Sequence, residues 1–528
     1  MTLKASEISV GDTFEEVLVE DLKRTQLVMY SGTSGDYNPL HTDDVYCREA
    51  AGYPGVFAHG MLTMGMTGRV VTNAFGAANV KKYGVRFTNQ VWPGDDLTGK
   101  AVIEAIREEG GETLVDLATQ VLPAGGFGNL ASDIVIREGR GGRVWDVSGN
   151  EYVDFLLGSG PMLVGHGHEE VLAAVQEQVQ RGTTFFANNE AGIRLAAEIV
   201  EAVECAEKVR FVSTGSEATF YAMRLARAHR GRDKILKFEG GYHGMSDYAL
   251  MSMAPKRPGN FPQATPDSAG IPQRIREEVL IAPFNDPEMA AGLIKEHHDE
   301  LGGIIVEPFQ RLLPPQPGFL ETLRKLATEY SIPLIFDEVV TGFRLAYGGA
   351  QAYYGVTPDL CAMGKVIGGG FPLAAVMGRS DIMSHFDRNA VADESFMPQI
   401  GTLSGNPVAA VAGLATLDIL DRPGAYEKLF ATGSALMEGL EALLEASGVP
   451  AVVIGEPPLF DVFFTSTEVK DYRGMQTNDT DRAQRFNATL RENGILKGDS
   501  KFYVSLAHDE KDVAHTLDAF AIAVKSVL

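Results

Sequence analysis

The spacing of apolar positions changes character near residue 122 of this 528-residue chain. Before that point, β-branched and aromatic residues come in short runs, Val17–Glu20, Tyr83–Thr88, Leu97–Ile106 and Thr113–Val121, which predict strands. One longer apolar stretch, Met61–Val71, predicts a helix between the first two. A curved sheet wrapped around one helix suits that order, an α+β domain over residues 1–121. From about residue 145, helix-period stretches such as Glu169–Arg181 and Arg194–Glu204 alternate with short buried strands. The clearest strands are Val209–Val212, Lys234–Phe238, Gly303–Val306 and Pro333–Phe336, and helices return at Asp481–Asn493 and Lys511–Val527. Such alternation predicts an α/β layer with a largely parallel sheet. Pro255–Pro272 is Pro/Gly-rich without a strong period and reads as a long loop, while Pro123–Gly126 marks the seam between the halves.

Composition narrows the classes. Forty-six basic against 70 acidic residues leave a net charge of −24, which disfavours nucleic-acid binding. No apolar run reaches the roughly 18 residues of a membrane span, and the first residues lack the apolar core of a secretory signal. Three widely spaced cysteines, Cys47, Cys205 and Cys361, offer neither a disulfide framework nor a CxxC metal knuckle. No metal site is expected, and a reducing, cytoplasmic setting is.

Five segments of the second half carry chemistry. Val209–Val212 runs into Ser213-Thr214-Gly215-Ser216 and then a helix with Ala218, Ala222 and Leu225 on one face. A helix start bearing hydroxyls and free N–H groups cradles phosphate, or is simply capped. Gly241-Tyr242-His243-Gly244 sets an aromatic between glycines after a strand. Asp337 stands at the C-terminal end of a buried strand, the edge at which ligands bind in open α/β sheets. Lys365 lies in apolar, glycine-rich surroundings, where desolvation favours Schiff-base chemistry. Gly401-Thr402-Leu403-Ser404-Gly405 is a further small, hydroxyl-bearing segment.

In this order and spacing the five segments, with Gly142–Phe155 and Val504–His508, resemble the class III aminotransferases, fold-type I enzymes of pyridoxal 5'-phosphate, and glutamate-1-semialdehyde aminomutase most closely. The resemblance covers about Leu122–Leu528. It implies a mixed, mostly parallel seven-stranded-type sheet in a large domain of about 170–415, and a small α/β domain from 122–169 plus 416–528. It also implies roles. Lys365 would bond the cofactor and carry the substrate Cα proton. Asp337 would hold a proton on the pyridine nitrogen, making the ring an electron sink. Val339 and Tyr242 would cover its two faces. Thr214, Gly215 and Ser216 would hold the phosphate, His243 would lie at the cofactor, and Thr402 would reach the cofactor of a second subunit in a homodimer. The loop Pro255–Pro272 falls where the aminomutases carry a gating lid.

Three departures concern the substrate. Phe127–Ala131 lacks the arginine that aminomutases use for the substrate carboxylate, Ser500 and Lys501 stand where they carry a glutamate, and Ser159 replaces a large aromatic. Loss of a bidentate carboxylate partner demotes glutamate-1-semialdehyde as substrate. Aminotransferase, aminomutase and another activity such as a lyase are the competing readings.

In the first half, Asp36-Tyr37-Asn38-Pro39-Leu40-His41 is followed by His59-Gly60. A carboxylate and an imidazole on one proline-held loop can polarise a water and return a proton. The Gly60 N–H, at a helix start, could polarise a thioester carbonyl. This motif, with Phe87–Asp95, resembles the MaoC-like hotdog proteins and (R)-specific enoyl-CoA hydratases over residues 5–121. The resemblance implies catalytic roles for Asp36 and His41 on a CoA or carrier-protein thioester. A non-catalytic assembly module is the rival. The chain reads as a hydratase/dehydratase joined to an aminotransferase that takes a small-molecule amino donor and a carbonyl acceptor.

Overall fold

The computed structural model describes residues 3–4, 7–19, 22–53, 55–84, 90–95, 97–109, 112–120 and 134–528. Two compact units emerge, Met1–Val135 and Ile136–Leu528. In the first, β1 (Thr13–Val19) pairs antiparallel with β2 (Leu97–Glu109), which pairs antiparallel with β3 (Glu112–Gln120). Helix α1 (Arg24–Ser34) ends at Gly35 in the left-handed region. Helix α2 (Gly60–Phe75) buries Thr67, Val70 and Val71, and Val70 packs with Leu18 of β1 and Ala101 of β2. Gly99 makes that approach possible, since a Cβ there would stand 2.5 Å from Val70 Cγ2. Between α1 and α2, the Asn38 side chain accepts from Leu40 N–H at 3.0 Å and starts the single turn Pro39–Thr42 that carries His41. Tyr83 and Gly84 lie outside any strand, and the rest of the expected strand to Thr88 lies outside the described residues. So do Phe87, Pro123–Gly126 and Phe127–Ala131.

The second unit opens with an antiparallel meander of β4 (Ile136–Arg140), β5 (Arg143–Asp146) and β6 (Glu151–Asp154). Its centre is a seven-stranded sheet of β7 (Lys208–Val212), β8 (Lys234–Phe238), β9 (Val279–Ala282), β10 (Leu301–Val306), β11 (Leu334–Glu338), β12 (Leu360–Met363) and β13 (Ala374–Gly378). The order is β7-β13-β12-β11-β10-β8-β9, and β13 alone runs antiparallel to its neighbours. Strands β10 to β13 are buried along their whole length, as a sheet covered on both faces requires. Helix α3 (Gly215–Arg230) follows β7 and packs Ala222, Leu225 and Ala226 against the sheet. Near the C-terminus, β14 (Val452–Glu456), β15 (Leu459–Phe463) and β17 (Phe502–Tyr503) form a small antiparallel sheet. Strand β16 (Ile495–Leu496) pairs parallel with β6, tying the two ends of this unit together. Pro255–Pro272 contains no helix or strand. Among the described residues no helix is long and apolar enough to cross a membrane, and Cys47, Cys205 and Cys361 are free and buried.

Candidate functional site

The carboxyl ends of β7, β8, β11 and β12 converge, and each delivers one of the segments singled out above. After β7, Thr214 caps α3. Its hydroxyl accepts from Glu217 N–H at 3.2 Å, while Glu217 accepts from the N–H groups of Ser213 and Thr214 at 2.8 and 2.9 Å. Gly215 and Ser216 then form the first turn, whose N–H groups have no partner inside the helix. Gly215 allows a close approach here: a Cβ would lie 2.8 Å from Val339 Cγ1, just past β11, and one of the two would have to shift. A Cβ on Gly364, before Lys365, would also touch Val339. Gly215, Val339 and Gly364 therefore lie against one another, which brings the chain at Thr214 and at Lys365 to the same place.

After β8, a Cβ on Gly244 would meet Ser216 Cα at 2.6 Å, so the Tyr242–Gly244 turn lies directly on the start of α3. Thr219 fastens it by donating to the His243 carbonyl at 2.7 Å. His243 Nδ1 is 2.8 Å from Asp337 Oδ2, with both side chains buried. Burial pushes the His243 imidazole down to about 3 and the Asp337 carboxyl up to about 7, partly offset by the Val339 N–H at 3.2 Å. His243 Nε2 is buried without a partner. Tyr242 lies under the Arg311 guanidinium, 5.3 Å from its ring centre, and its N–H faces Glu307 at 3.4 Å.

Lys365 follows β12 at φ 49°, a left-handed conformation, and its ammonium donates to the Ser159 carbonyl at 2.7 Å. Leu157, Ser159, Arg311 and Phe343 also have φ between 49° and 67°, a concentration of backbone strain of the kind found at functional sites. Burial pushes the Lys365 ammonium below its usual range; Tyr503 opposes this, and the charges of Lys501 and Arg344 add to it. A half-buried amine of lowered basicity, a buried carboxyl and a helix N-terminus suit an aldehyde cofactor with a ring nitrogen and a phosphate. Thr402 lies elsewhere, in a cleft of about 430 Å³ with Phe185, Phe186, Asn189, Ile400 and Gly405. Its carbonyl accepts from Thr184.

Local patterns do not announce three further residues here. Arg344 is wholly buried and donates to the carbonyls of Gly160, Pro458 and Val504, the last two at 3.2 Å, with Tyr503 against its guanidinium at 5.1 Å. Lys237, also wholly buried, donates to the carbonyls of Gly241 and Ala249 and is held down at about 7 by burial. Glu307 is buried and its carboxyl pushed up by that burial.

In the first unit, the donor atoms of Asp36, His41 and His59 lie within 4.8 Å of one another, close enough for one water or one cation to touch all three. Asp36 is exposed, His41 half-buried and His59 buried. His41 Nδ1 is 2.8 Å from the Phe57 carbonyl, which only accepts, so the proton sits on Nδ1 and Nε2 is left basic. His59 Nε2 reaches the Asp36 carbonyl at 3.0 Å and Ser31 Oγ at 3.1 Å. The two imidazole rings are 4.0 Å apart. His59 also precedes Gly60, the first residue of α2, so the helix N-terminus opens beside the cluster. The Ser31 contact joins residues 28 apart and carries no sequence signal.

Comparison with known proteins agrees with both halves. The aminotransferase class-III family model matches residues 127–523 and the MaoC-like domain model residues 6–122. Glutamate-1-semialdehyde 2,1-aminomutase 2 of Brevibacillus brevis is 42% identical over 398 residues, covering 74% of this chain and 91% of that protein. An omega-transaminase from Sphaerobacter thermophilus superposes with a TM-score of 0.73 at 37% identity, covering 77% of this chain and 95% of that one. A β-phenylalanine aminotransferase from Variovorax paradoxus gives 0.66 at 31% identity, covering 74% and 86%. The first unit thus has the hotdog fold and the second the pyridoxal-phosphate fold type I. The chain belongs to the pyridoxal-phosphate-dependent class III aminotransferases and carries a MaoC-like domain ahead of that fold.

Proposed function

We propose that the second unit transfers an amino group between an amine donor and a carbonyl acceptor, and that the first hydrates or dehydrates an enoyl thioester. The observation that carries the first part is the buried Asp337–His243 pair facing a half-buried Lys365 beside the start of α3. The cofactor, when bound, supplies the electron sink for the substrate carbanion. Asp337, fixed by His243, holds a proton at the ring nitrogen. Thr214, Gly215 and Ser216 present hydroxyl and N–H groups to the phosphate. Val339 and Tyr242 confine the ring. Lys365 Nζ, its basicity lowered by burial, takes the substrate Cα proton and returns it.

Transamination is favoured over the isomerisation named for the Brevibacillus relative because three substrate-side positions differ. Phe127–Ala131 has no arginine, Ser159 is small, and Ser500-Lys501 replaces an acidic residue. A homodimer belongs to this reading. Phe185, Phe186, Ile400 and Leu403 expose apolar side chains around the Thr402 cleft, a face suited to a second subunit whose cofactor Thr402 would reach. The proposed division is 1–121 for the hydratase and 122–528 for the aminotransferase, with a large part at about 170–415 and a small part from 122–169 plus 416–528. A cytoplasmic setting fits the three free cysteines.

In the hydratase, His41 Nε2 takes the proton of a water held by Asp36, and the Gly60 N–H polarises the thioester carbonyl. Spectroscopic half-reactions with amines and hydration of trans-2-enoyl CoA and carrier-protein esters test the two activities separately.

A further inference from the structure

Lys501 is a cation near Lys365 with no side-chain hydrogen bond or ion pair among the described residues. Of the other cations around Asp337 and Lys365, Arg344 is committed to three backbone carbonyls, Arg311 donates to the carbonyls of Gly240 and Met253, and Lys237 to those of Gly241 and Ala249. Lys501 has neither an ion-pair nor a hydrogen-bond partner among the described residues and is half-buried. Its backbone is held by a bridge to Gly498 just before β17. Side chains alternate along a strand. Phe502 points into the core against Phe460 and Phe520, so Lys501 shares the opposite face with Tyr503. The Tyr503 ring packs on Gly160, where a Cβ would come within 2.7 Å, next to the Ser159 carbonyl that holds Lys365.

Electrostatics agree with that placement. Burial works against the Tyr503 phenolate, yet Lys501, Lys365 and Arg344 together draw it below its usual range. Lys501 also acts on Lys365 and Glu307. Glu307, the nearby carboxyl, is turned to the Tyr242 N–H at 3.4 Å and forms no ion pair with the lysine; burial raises its carboxyl, with Arg311 and Lys501 among the charges working against that.

We propose that Lys501 is the anchor for a carboxylate on the amino donor or its keto product, in place of the arginine missing from Phe127–Ala131. The substrates are then amino acids and oxo acids rather than plain amines. This inference rests on the aminotransferase reading. A lysine is a point charge on a flexible stem, so it tolerates a range of carboxylate distances that a bidentate arginine would not.

The test uses the full-length, cofactor-loaded protein and matched pairs in which a carboxylate replaces a methyl group: alanine with isopropylamine, β-alanine with propylamine, 4-aminobutyrate with butylamine, and 5-aminovalerate with pentylamine. Single-turnover loss of the cofactor absorbance gives an apparent Kd and rate for each. Wild type should prefer the carboxylate member of at least one pair. Lys501→Gln should cut that preference about tenfold or more through Kd, leave the uncharged member within about twofold, and keep the cofactor spectrum. Lys501→Arg should retain most of the preference. A role confined to tuning Lys365 would shift both members of a pair together and would overturn the proposal. So would a wild type without preference, or an unchanged ratio in Lys501→Gln. If no amine of either kind alters the absorbance, the aminotransferase reading falls as well.

Discussion

Replacing Arg344 by Met should destabilise the second unit by about 3 kcal/mol. Its guanidinium serves the carbonyls of Gly160, Pro458 and Val504, which belong to three segments far apart in the chain. The Pro458 carbonyl keeps its bond from the Val504 N–H at 3.1 Å, so the buried carbonyls of Gly160 and Val504 are the two left unpaired, at about 3 kcal/mol each or roughly 6 kcal/mol together. Against this stands the relief of burying no charge. Burial depresses the Arg344 guanidinium from 12.5 to about 10, which corresponds to roughly 3 kcal/mol. The difference is about 3 kcal/mol. For a unit of roughly 400 residues the melting entropy is about 0.8 kcal/mol/K, so Tm should fall by about 4 °C. Arg344→Lys keeps the charge but has no planar fork, and should recover less than half of the loss. Differential scanning calorimetry of full-length protein would read both. Gly160 adjoins Ser159, so the Met variant should also load cofactor more weakly, followed by absorbance titration. A fall in Tm below about 1 °C, or a gain, would show that the carbonyls find other partners and that Arg344 does not clamp the segments around Lys365.

Other outcomes follow from the two sites. Asp337→Asn should leave the cofactor bound but slow turnover by more than about 100-fold, since an amide cannot hold the ring nitrogen's proton as a carboxylate does; near wild-type turnover would assign that proton to another group. Glutamate-1-semialdehyde should be isomerised poorly, and 5-aminolevulinate formation at rates typical of a dedicated enzyme would restore the aminomutase reading. Full-length protein should hydrate a trans-2-enoyl thioester, with Asp36→Ala and His41→Ala each lowering the rate by about 10²–10⁴-fold. The double variant should be little worse, because both residues act on one water; additive losses would separate their roles, and no hydration of either ester would leave the domain as an assembly module.

Much of this architecture was legible because chemistry sat at predictable ends of strands. Asp337 is the penultimate residue of β11 and Lys365 stands two residues past β12, both readable from buried runs meeting a polar residue. The start of α3 was legible for the same reason, its capping box lying within four residues. Arg344 was not legible, since its three acceptors lie 114, 160 and 184 residues away. Helix α1 also leaves little trace: it buries only Leu27 and Ser31, and its Ser/Thr/Gly-rich end resembles a loop. Yet Ser31 is the residue that meets His59. Asp36 and His41 were readable as a pair, whereas the tautomer of His41 depends on the Phe57 carbonyl, 16 residues on.

The central claim is that Lys365 carries the cofactor of an amino-transferring enzyme. The direct measurement treats the loaded protein with a reactive amine from the pairs above, follows the cofactor spectrum and the carbonyl product together, and then adds a keto acid. A parallel sample is reduced with borohydride and mapped. The account predicts one carbonyl product released per cofactor converted, recovery of the original spectrum on adding the keto acid, and the pyridoxyl label on Lys365. Label on another lysine, or an amine that returns only as its isomer with no carbonyl released, would contradict it.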